Sequence, residues 1–313
     1  MFVTVAICTF NRAESLRRTL NSLIGLRIPK NLSWELIIIN NNSTDHTDEV
    51  ISDYSSQLPL RRAFEPKPGL SHARNRVVDL ARGNYIVWTD DDVVVDPRWL
   101  QAYSIAFHRW PEAALFGGRI FPEFEASVPR WIKRNEKILG GAFAVVNFSA
   151  FARPLSMVEN LVPFGANFAV RLAEQRKFRY NPELGAAPGR LRSGEESEVI
   201  CRILNSGSAG YWVPEAIVHH CIGKERTTLQ YIFMFFRGQG ETAAVIRAAN
   251  AERFWAGVPL RLWLQLPLFA VSYYGLRLAC PWHIWARLLR KYAYTVGMFE
   301  YWWQKRNCAR RMD

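Results

Sequence analysis

The stretch WTDDDVVVDP (88–97) sets three carboxylates, Asp90, Asp91 and Asp92, side by side directly after an apolar run. Adjacent carboxylates repel one another and cost free energy unless a cation compensates them. If the strand continues through them, Asp90 and Asp92 share one face and Asp91 takes the other. Such a pair suits Mg2+ or Mn2+, which prefer hard oxygen ligands and keep waters or substrate phosphates in their remaining positions. A solvated acidic turn is the other reading. A second acidic group, SGEESEV (193–199), puts Glu195 and Glu196 behind a Ser-Gly turn. A helix dipole favours carboxylates at its start, so a plain capped helix explains them without excluding a part in proton transfer. His219 and His220 close a predicted strand, where a neutral imidazole either completes a metal shell or serves the structure. The adjoining Cys221 does not make a zinc site, because contiguous His-His-Cys cannot wrap one tetrahedral ion without other ligands.

The elements that must position these groups are readable on either side. VTVAIC (3–8) is β-branched and alternating, a strand that stops at TFNR, and Leu16, Leu20, Leu23 and Ile24 then recur at helical spacing before Pro29. WELIIIN (34–40) is nearly all apolar, the type buried on both faces of a parallel sheet, and NNSTD opens the next helix. PGLSHARNRVVDLA turns at Pro68-Gly69 and becomes helical from Ser71, and NYIVWT (84–89) is a third buried strand that ends at the carboxylates. Strand, helix, strand, helix, strand implies right-handed crossovers and a parallel sheet. Such sheets bind ligands at the carboxyl ends of their strands. TFNR, NNNSTD and TDDD all fall at those ends, so they should converge on one crevice. Further on, LFGGRI (115–120) predicts a strand, residues 121–160 an irregular stretch, FGANFAVR (164–171) a turn and strand, SGEESEVICRIL (193–204) a helix and GYWVPEAIVHH (210–220) a strand.

In this order the motifs VAICTFNRAESL, IIINNNSTDHT, PGLSHARNRV, YIVWTDDDVVVDPRWL, FGANFAVR, SGEESEV and HHCIGKERTT resemble glycosyltransferase family 2, with the GT-A fold, across residues 3–240. The resemblance implies an α/β catalytic domain at 1–240, a Rossmann-like, mostly parallel sheet flanked by helices, with a nucleotide-sugar half at 1–120 and an acceptor half at 121–240. Residues 241–313 follow as a basic, aromatic helical extension. The activity implied is inverting transfer of one sugar from a nucleotide-diphosphate sugar, a UDP-sugar favoured, to an acceptor hydroxyl, with Mn2+ or Mg2+ as cofactor. Asp90 and Asp92 then form the DxD element, Asp92 on the ion and Asp90 towards the ribose, with His220 as third metal ligand. Thr9, Asn11 and Arg12 lie beside the nucleotide with Asp91, which has no defined part, and Asn41 lies where the base is read. Arg74 stands near the phosphates, unless it is a solvated helix arginine, and Gly165 and Asn167 lie near the transferred sugar. Glu195 and Glu196 form the family's acidic pair, whose second member, here Glu196, is the general base. Asn40 departs from the family's usual Asp, and an amide differs from a carboxylate in what it accepts and donates. FRGQG (236–240) stands where processive synthases carry QxxRW, which implies single transfer rather than polymerisation.

Against 28 Asp and Glu there are 40 Lys and Arg, a net charge of +12, unevenly placed. From Trp255 onward Arg261, Arg277, Arg287, Arg290, Lys291, Lys305, Arg306, Arg310 and Arg311 meet only Glu300 and Asp313. Interleaved with them are Trp255, Trp263, Trp282, Trp285, Trp302 and Trp303. Cationic and aromatic side chains on short apolar helices suit an anionic leaflet; a helical pair packed on the catalytic domain is the alternative. The uncharged stretch 262–276 is broken by Gln265 and Pro267 and is shorter than the roughly 20 residues of a membrane span. No nucleic-acid-binding motif accompanies the basic segment. Five scattered cysteines without CxxC spacing fit reduced thiols, and MFVTVAICTF has neither a basic segment before its apolar run nor a cleavage site. These features lead to the expectation of a cytoplasmic protein, peripheral on the inner membrane, acting on a saccharide or lipid-linked acceptor in bacterial surface-polysaccharide assembly. A sugar nucleotidyltransferase would need a Gly-rich phosphate loop after the first strand, and TFNRAESL has no glycine. A non-catalytic scaffold of the same fold is the other rival.

Overall fold

A computed structural model describes residues 1–189, 192–246 and 253–309. Arg310, Arg311 and Asp313 of the basic tail, and the Cys308 side chain, lie outside the described residues. In chain order the elements begin with β1 (Phe2–Thr9), α1 (Ala13–Ile24), β2 (Ser33–Asn40), α2 (Thr47–Asp53), β3 (Leu60–Phe64), α3 (Leu70–Leu80), β4 (Tyr85–Trp88) and β5 (Val93–Val95). There follow α4 (Trp99–Arg109), β6 (Leu115–Phe124), α5 (Arg130–Lys133), α6 (Glu136–Leu139), β7 (Arg153–Pro154), β8 (Phe168–Arg171), α7 (Leu172–Lys177), α8 (Glu195–Asn205) and β9 (Gly210–Ile222). The last are α9 (Leu229–Ile246), β10 (Phe254–Trp255), β11 (Val258–Pro259), α10 (Leu260–Leu276) and α11 (Trp282–Ala309). Two compact units result: Met1–Glu123 with Ala144–Pro182 and Glu195–Ile222, and Phe124–Phe143 with Glu183–Gly194 and Gly223–Asp313.

The first unit is built on a sheet of strand order β3-β2-β1-β4-β8-β6-β9-β5, with β7 on β9. The first four strands are parallel, as the alternation of strands and helices requires. β8 runs antiparallel to β4 and β6, and β5 antiparallel to β9, so the sheet is mixed beyond β4. Val5, Ile7, Leu36, Ile38, Ile86 and Val87 have no exposed surface, consistent with strands covered on both faces. Thr9 is in register with Asn40, which brings the carboxyl ends of β1 and β2 level. Helix α1 turns Leu16, Leu20 and Leu23 inward. Its hydroxyls also hold the short strand β5: Val93 N donates to Thr19 Oγ1 (3.2 Å) and Val95 N to Ser22 Oγ (3.1 Å). These bonds fix the turn that precedes β5, and that turn carries the three aspartates.

In the second unit α9 packs on α11 at two glycines. A Cβ at Gly240 would stand 2.0 Å from the Tyr294 carbonyl oxygen, and one at Gly297 would stand 1.9 Å from that of Arg237. The backbones approach so closely that only glycine fits. Gly240, in FRGQG, therefore has a packing reason, and α9 runs unbroken through residue 240. Arg237 pairs with Glu300 across the same contact, and Glu241 with Arg192 at 3.0 Å. Ala244, Val258, Leu262 and Met298 form a small core beside it.

Candidate active site

The strand-end motifs converge. Asn11 adopts φ 52, a left-handed conformation that asparagine tolerates better than most residues. From there it donates its N–H to Ser43 Oγ (2.9 Å) and accepts from Thr44 N at Oδ1 (2.6 Å), tying TFNR to NNNSTD. Arg12 Nη1 then donates to Asp91 Oδ1 (2.9 Å) and Asp92 Oδ2 (2.7 Å), tying TFNR to TDDD. The expected alternation of the aspartates does not occur, because β4 stops at Trp88 and the three residues form a turn. Asp91 and Asp92 face the same guanidinium, and Asp90 faces Arg74. Asp91 therefore has a defined partner. Its burial raises its carboxyl pKa, with Arg12 opposing and Asp92 adding to the rise. His220, in register with Val93, brings Nε2 to 3.4 Å from Asp92 Oδ2.

Arg74 is not a solvated helix arginine. It is buried, with Nη2 3.7 Å from both Asp90 Oδ1 and Glu195 Oε1. The rings of Trp88 (5.4 Å), Tyr180 (5.4 Å) and Phe168 (5.8 Å) surround its guanidinium carbon, a cation–π setting. Nη1 is buried and finds no hydrogen-bond partner among the described residues. Burial opposes its charge, yet Glu195, Tyr180, Glu196 and Asp90 outweigh that and raise its pKa above the ordinary value. Asp90 keeps 37 % of its side chain exposed. Desolvation by the surrounding atoms still lifts its carboxyl to about 6, with Arg74 pulling it down and Asp92 and Asp91 pushing it up.

The acids of SGEESEV open α8, and they divide. Glu195 is buried, and desolvation, then the Glu196 charge, push its carboxyl well above the usual range against the pull of Arg74. Glu196 is only half-buried. A Cβ at Gly165 would meet Arg74 Nη2 at 2.9 Å and Glu196 Cδ at 3.4 Å, so the missing side chain keeps a space open beside both.

Two of the expected contact residues do structural work instead. Asn167 is fully buried: Nδ2 donates to the Arg119 and Ala216 carbonyls (both 2.8 Å), and Oδ1 accepts from Trp99 Nε1 (2.8 Å) and Tyr103 Oη (2.7 Å). With every amide group engaged, it stitches β6, β8, β9 and α4 together rather than facing a sugar. Asn41 spends its amide on the loop 65–69, donating to the Glu65 (2.9 Å) and Lys67 (2.8 Å) carbonyls and accepting from Gly69 N (2.8 Å). Thr9 ends β1 beside them and is buried. Asn40 donates to Asp48 Oδ1 (2.8 Å), and Asp48 pairs with Arg62. A carboxylate at position 40 would confront that of Asp48, which gives the departure from Asp a physical reason. The aromatic box around Arg74 escaped the sequence reading: Trp88 borders the aspartates, but nothing in the pattern near Tyr180 marks it.

Asp92 and His220 suit a divalent ion in chemistry, one carboxylate oxygen and one imidazole nitrogen, and such ions take their other ligands from water and phosphate. Asp90 does not join them, since it turns to Arg74. Among the described residues no three acidic, imidazole or thiol groups gather around one point. Arg12 supplies a positive charge on the same Asp92 oxygen, so an ion bound there would share or displace that contact.

Comparison with known proteins gives the family and the fold. The family described as glycosyl transferase family 2 matches residues 4–159. A glucosyl-dolichyl phosphate glucuronosyltransferase of Haloferax volcanii is 22% identical over 251 residues, covering 79% of this chain and 77% of that protein. The succinoglycan biosynthesis protein ExoM of Rhizobium meliloti is 22% identical over 256 residues, covering 80% and 77%. In fold, the chain is similar to the mannosyltransferase PcManGT from Pyrobaculum calidifontis, solved with GDP-Man and Mn2+. The TM-score is 0.62 and the identity 15%, with 97% of this chain and 87% of that one covered. It is also similar to S. aureus TarS 1–349 in complex with UDP-GlcNAc, at TM-score 0.54 and 16% identity, covering 100% and 93%.

Proposed function

The chain belongs to glycosyltransferase family 2, and on that premise we propose that it moves a single sugar from a nucleotide-diphosphate donor to an acceptor hydroxyl, inverting the anomeric centre. The observation that carries this reading is Arg74, buried within 3.7 Å of both Asp90 and Glu195, which joins the strand-end acids to the helix-start acids in one site. Glu196, half-buried beside the space at Gly165, takes the acceptor proton as the acceptor oxygen attacks the anomeric carbon from the face opposite the leaving group. One displacement of this kind inverts. Glu195 faces inward and positions Arg74. Thr9, Asn11 and Arg12 frame the nucleotide, Asn41 shapes the loop beside the base, and Asp90 faces the ribose. Mn2+ or Mg2+, held by Asp92 and His220 with the donor's diphosphate, would offset the charge that develops on the leaving group.

The donor proposed is a UDP-sugar, in keeping with the UDP-GlcNAc held by a protein of similar fold. The acceptor proposed is a saccharide or lipid-linked saccharide of surface-polysaccharide assembly, in keeping with relatives named for glucosyl-dolichyl phosphate and for succinoglycan biosynthesis. Residues 1–240 serve catalysis and 241–313 serve association with the cytoplasmic face of the inner membrane. No helix among the described residues is long and apolar enough to cross a membrane. The test is incubation with a panel of nucleotide sugars and Mn2+, following the donor. Acceptor-dependent release of nucleoside diphosphate is the expected result. Release of pyrophosphate would mean nucleotidyl transfer, and no turnover would mean a scaffold. The metal assignment is checked separately by calorimetry: Asp92→Asn should weaken Mn2+-dependent donor binding about tenfold, ~1.4 kcal/mol.

A further inference from the structure

One face of α10 is an unexplained feature outside the site. Leu260, Leu264, Leu268, Val271 and Tyr274 recur at intervals of three or four, which places them within about 120° of the helix circumference. They are exposed, Leu264 by 72%, Leu268 by 60% and Val271 by 73%, and Leu278, just past the helix end, by 95%. The opposite face, at Leu262 and Tyr273, is buried. An uninterrupted exposed apolar ridge about 21 Å long is not a feature of an ordinary solvated helix, and such patches mark interaction surfaces.

Charge selects the occupant. Between Arg253 and Phe299 there is no Asp or Glu, whereas Arg253, Arg261, Arg277, Arg287, Arg290 and Lys291 all fall there. Arg261 stands about 20° past the Leu268 edge of the face around the helix, and exposed Arg277 adjoins Leu278 just past its end, so cations border the ridge, while Lys291 of α11 lies over Phe269 (5.7 Å) on the other face. Trp282 and Ile284, at the start of α11, are exposed as well. A second copy seated on the ridge would bring two cationic borders together without an acid in the segment to offset them. An anionic lipid surface offers acyl chains to the ridge and headgroups to its borders. At 17 residues, with Pro267 inside, α10 is too short to span a bilayer and suited to lying in its surface.

We propose that the Leu264–Leu268–Val271 face of α10, with its cationic borders, is the surface by which this protein lies on an anionic lipid leaflet. The inference deepens the reading of a membrane-associated glycosyltransferase by naming the face and the lipid charge it requires. Its test is flotation of the purified full chain with vesicles of phosphatidylcholine alone or mixed with phosphatidylglycerol. The chain should float with the mixed vesicles and lose that binding as salt rises. The triple variant Leu264→Gln/Leu268→Gln/Val271→Gln should bind at least about tenfold more weakly, with an unchanged circular dichroism spectrum and melting temperature because the three side chains are exposed. Arg261→Gln/Arg277→Gln/Arg287→Gln should lose the preference for phosphatidylglycerol. The proposal is overturned if the wild-type chain does not float, if the triple variant floats as well as wild type, or if neutral vesicles bind equally. It is also overturned if the triple variant abolishes a dimer seen by sedimentation while vesicles bind neither protein, which would put a second copy on the ridge. No sugar donor is present in the assay, so its failure leaves the transfer reading standing, and a failed transfer assay leaves the ridge.

Discussion

The candidate site and the α10 ridge break the usual partition of residues in opposite senses. At the strand ends, Arg74, Asp91, Asp92 and Glu195 are charged residue types with little solvent contact; along α10, Leu264, Leu268 and Val271 are apolar with much of it. Burying charge is costly unless partners compensate, and here they do: each buried acid has a cation or imidazole nearby, and Arg74 has three rings and two carboxylates. The ridge has no such internal compensation. The difference teaches that the site is arranged to hold its charges before any substrate arrives, whereas α10 depends on something outside the chain.

The comparison can be tested from its strongest side downward. Glu196→Gln should lower kcat by about 10²–10⁴ while donor affinity by calorimetry stays near wild type; near-normal turnover would move the base elsewhere. Arg74→Met should cost about 3–5 kcal/mol of unfolding free energy, as expected when one partner of a buried pair is removed. Adding Glu195→Gln should restore part of that loss, and strictly additive losses in urea melts would show that the two are not coupled. Within α10 itself, Leu262→Ala should cost about 2–5 kcal/mol, whereas Leu264→Ala should stay within about 0.5 kcal/mol. Equal losses would mean that the ridge is part of the core. The smallest effect concerns Asp48, whose carboxyl is held below its ordinary value chiefly by the hydrogen bond from Arg62, with Asn40 adding to it. A depressed folded pKa contributes stability above the unfolded value of about 3.8, and that contribution is lost as the pH falls through the lower folded value. For a half-exposed pair it amounts to about 0.2–1 kcal/mol. Arg62→Gln should lower stability at pH 7 by that amount and narrow the difference from wild type below pH 3.8, as read by thermal melts across pH.

Legibility in the sequence followed burial on two faces. β1, β2 and β4 were plain because their apolar runs have no polar side to confuse the period. β3 was not, because LRRAF sits at the sheet edge and turns Arg61 to Glu35 and Arg62 to Asp48. Helix α4 was not read from the sequence, although Trp99, Tyr103 and Phe107 recur at fourfold spacing, all buried, and the bonds from Trp99 and Tyr103 to Asn167 show what those two are for. The convergence of TFNR, NNNSTD and TDDD followed from topology. The turn that re-aims the aspartates did not, since three valines after them favour a continuous strand as strongly as an interrupted one. Arg74 was legible as a site residue through its motif, but its depth was not, because Trp88, Phe168 and Tyr180 come from three separate parts of the chain.

The contact between Asn40 and Asp48 bears on how relatives of this chain should be read. The two side chains, eight positions apart, share one negative charge, with the amide on the strand and the carboxylate on the helix. Scored position by position, Asn40 looks like a defect; scored as a pair, it is a relocated charge. Homologues with Asp at the first position should therefore tend to carry a neutral residue at the second, and the exchange Asn40→Asp/Asp48→Asn should be tolerated better than Asn40→Asp alone.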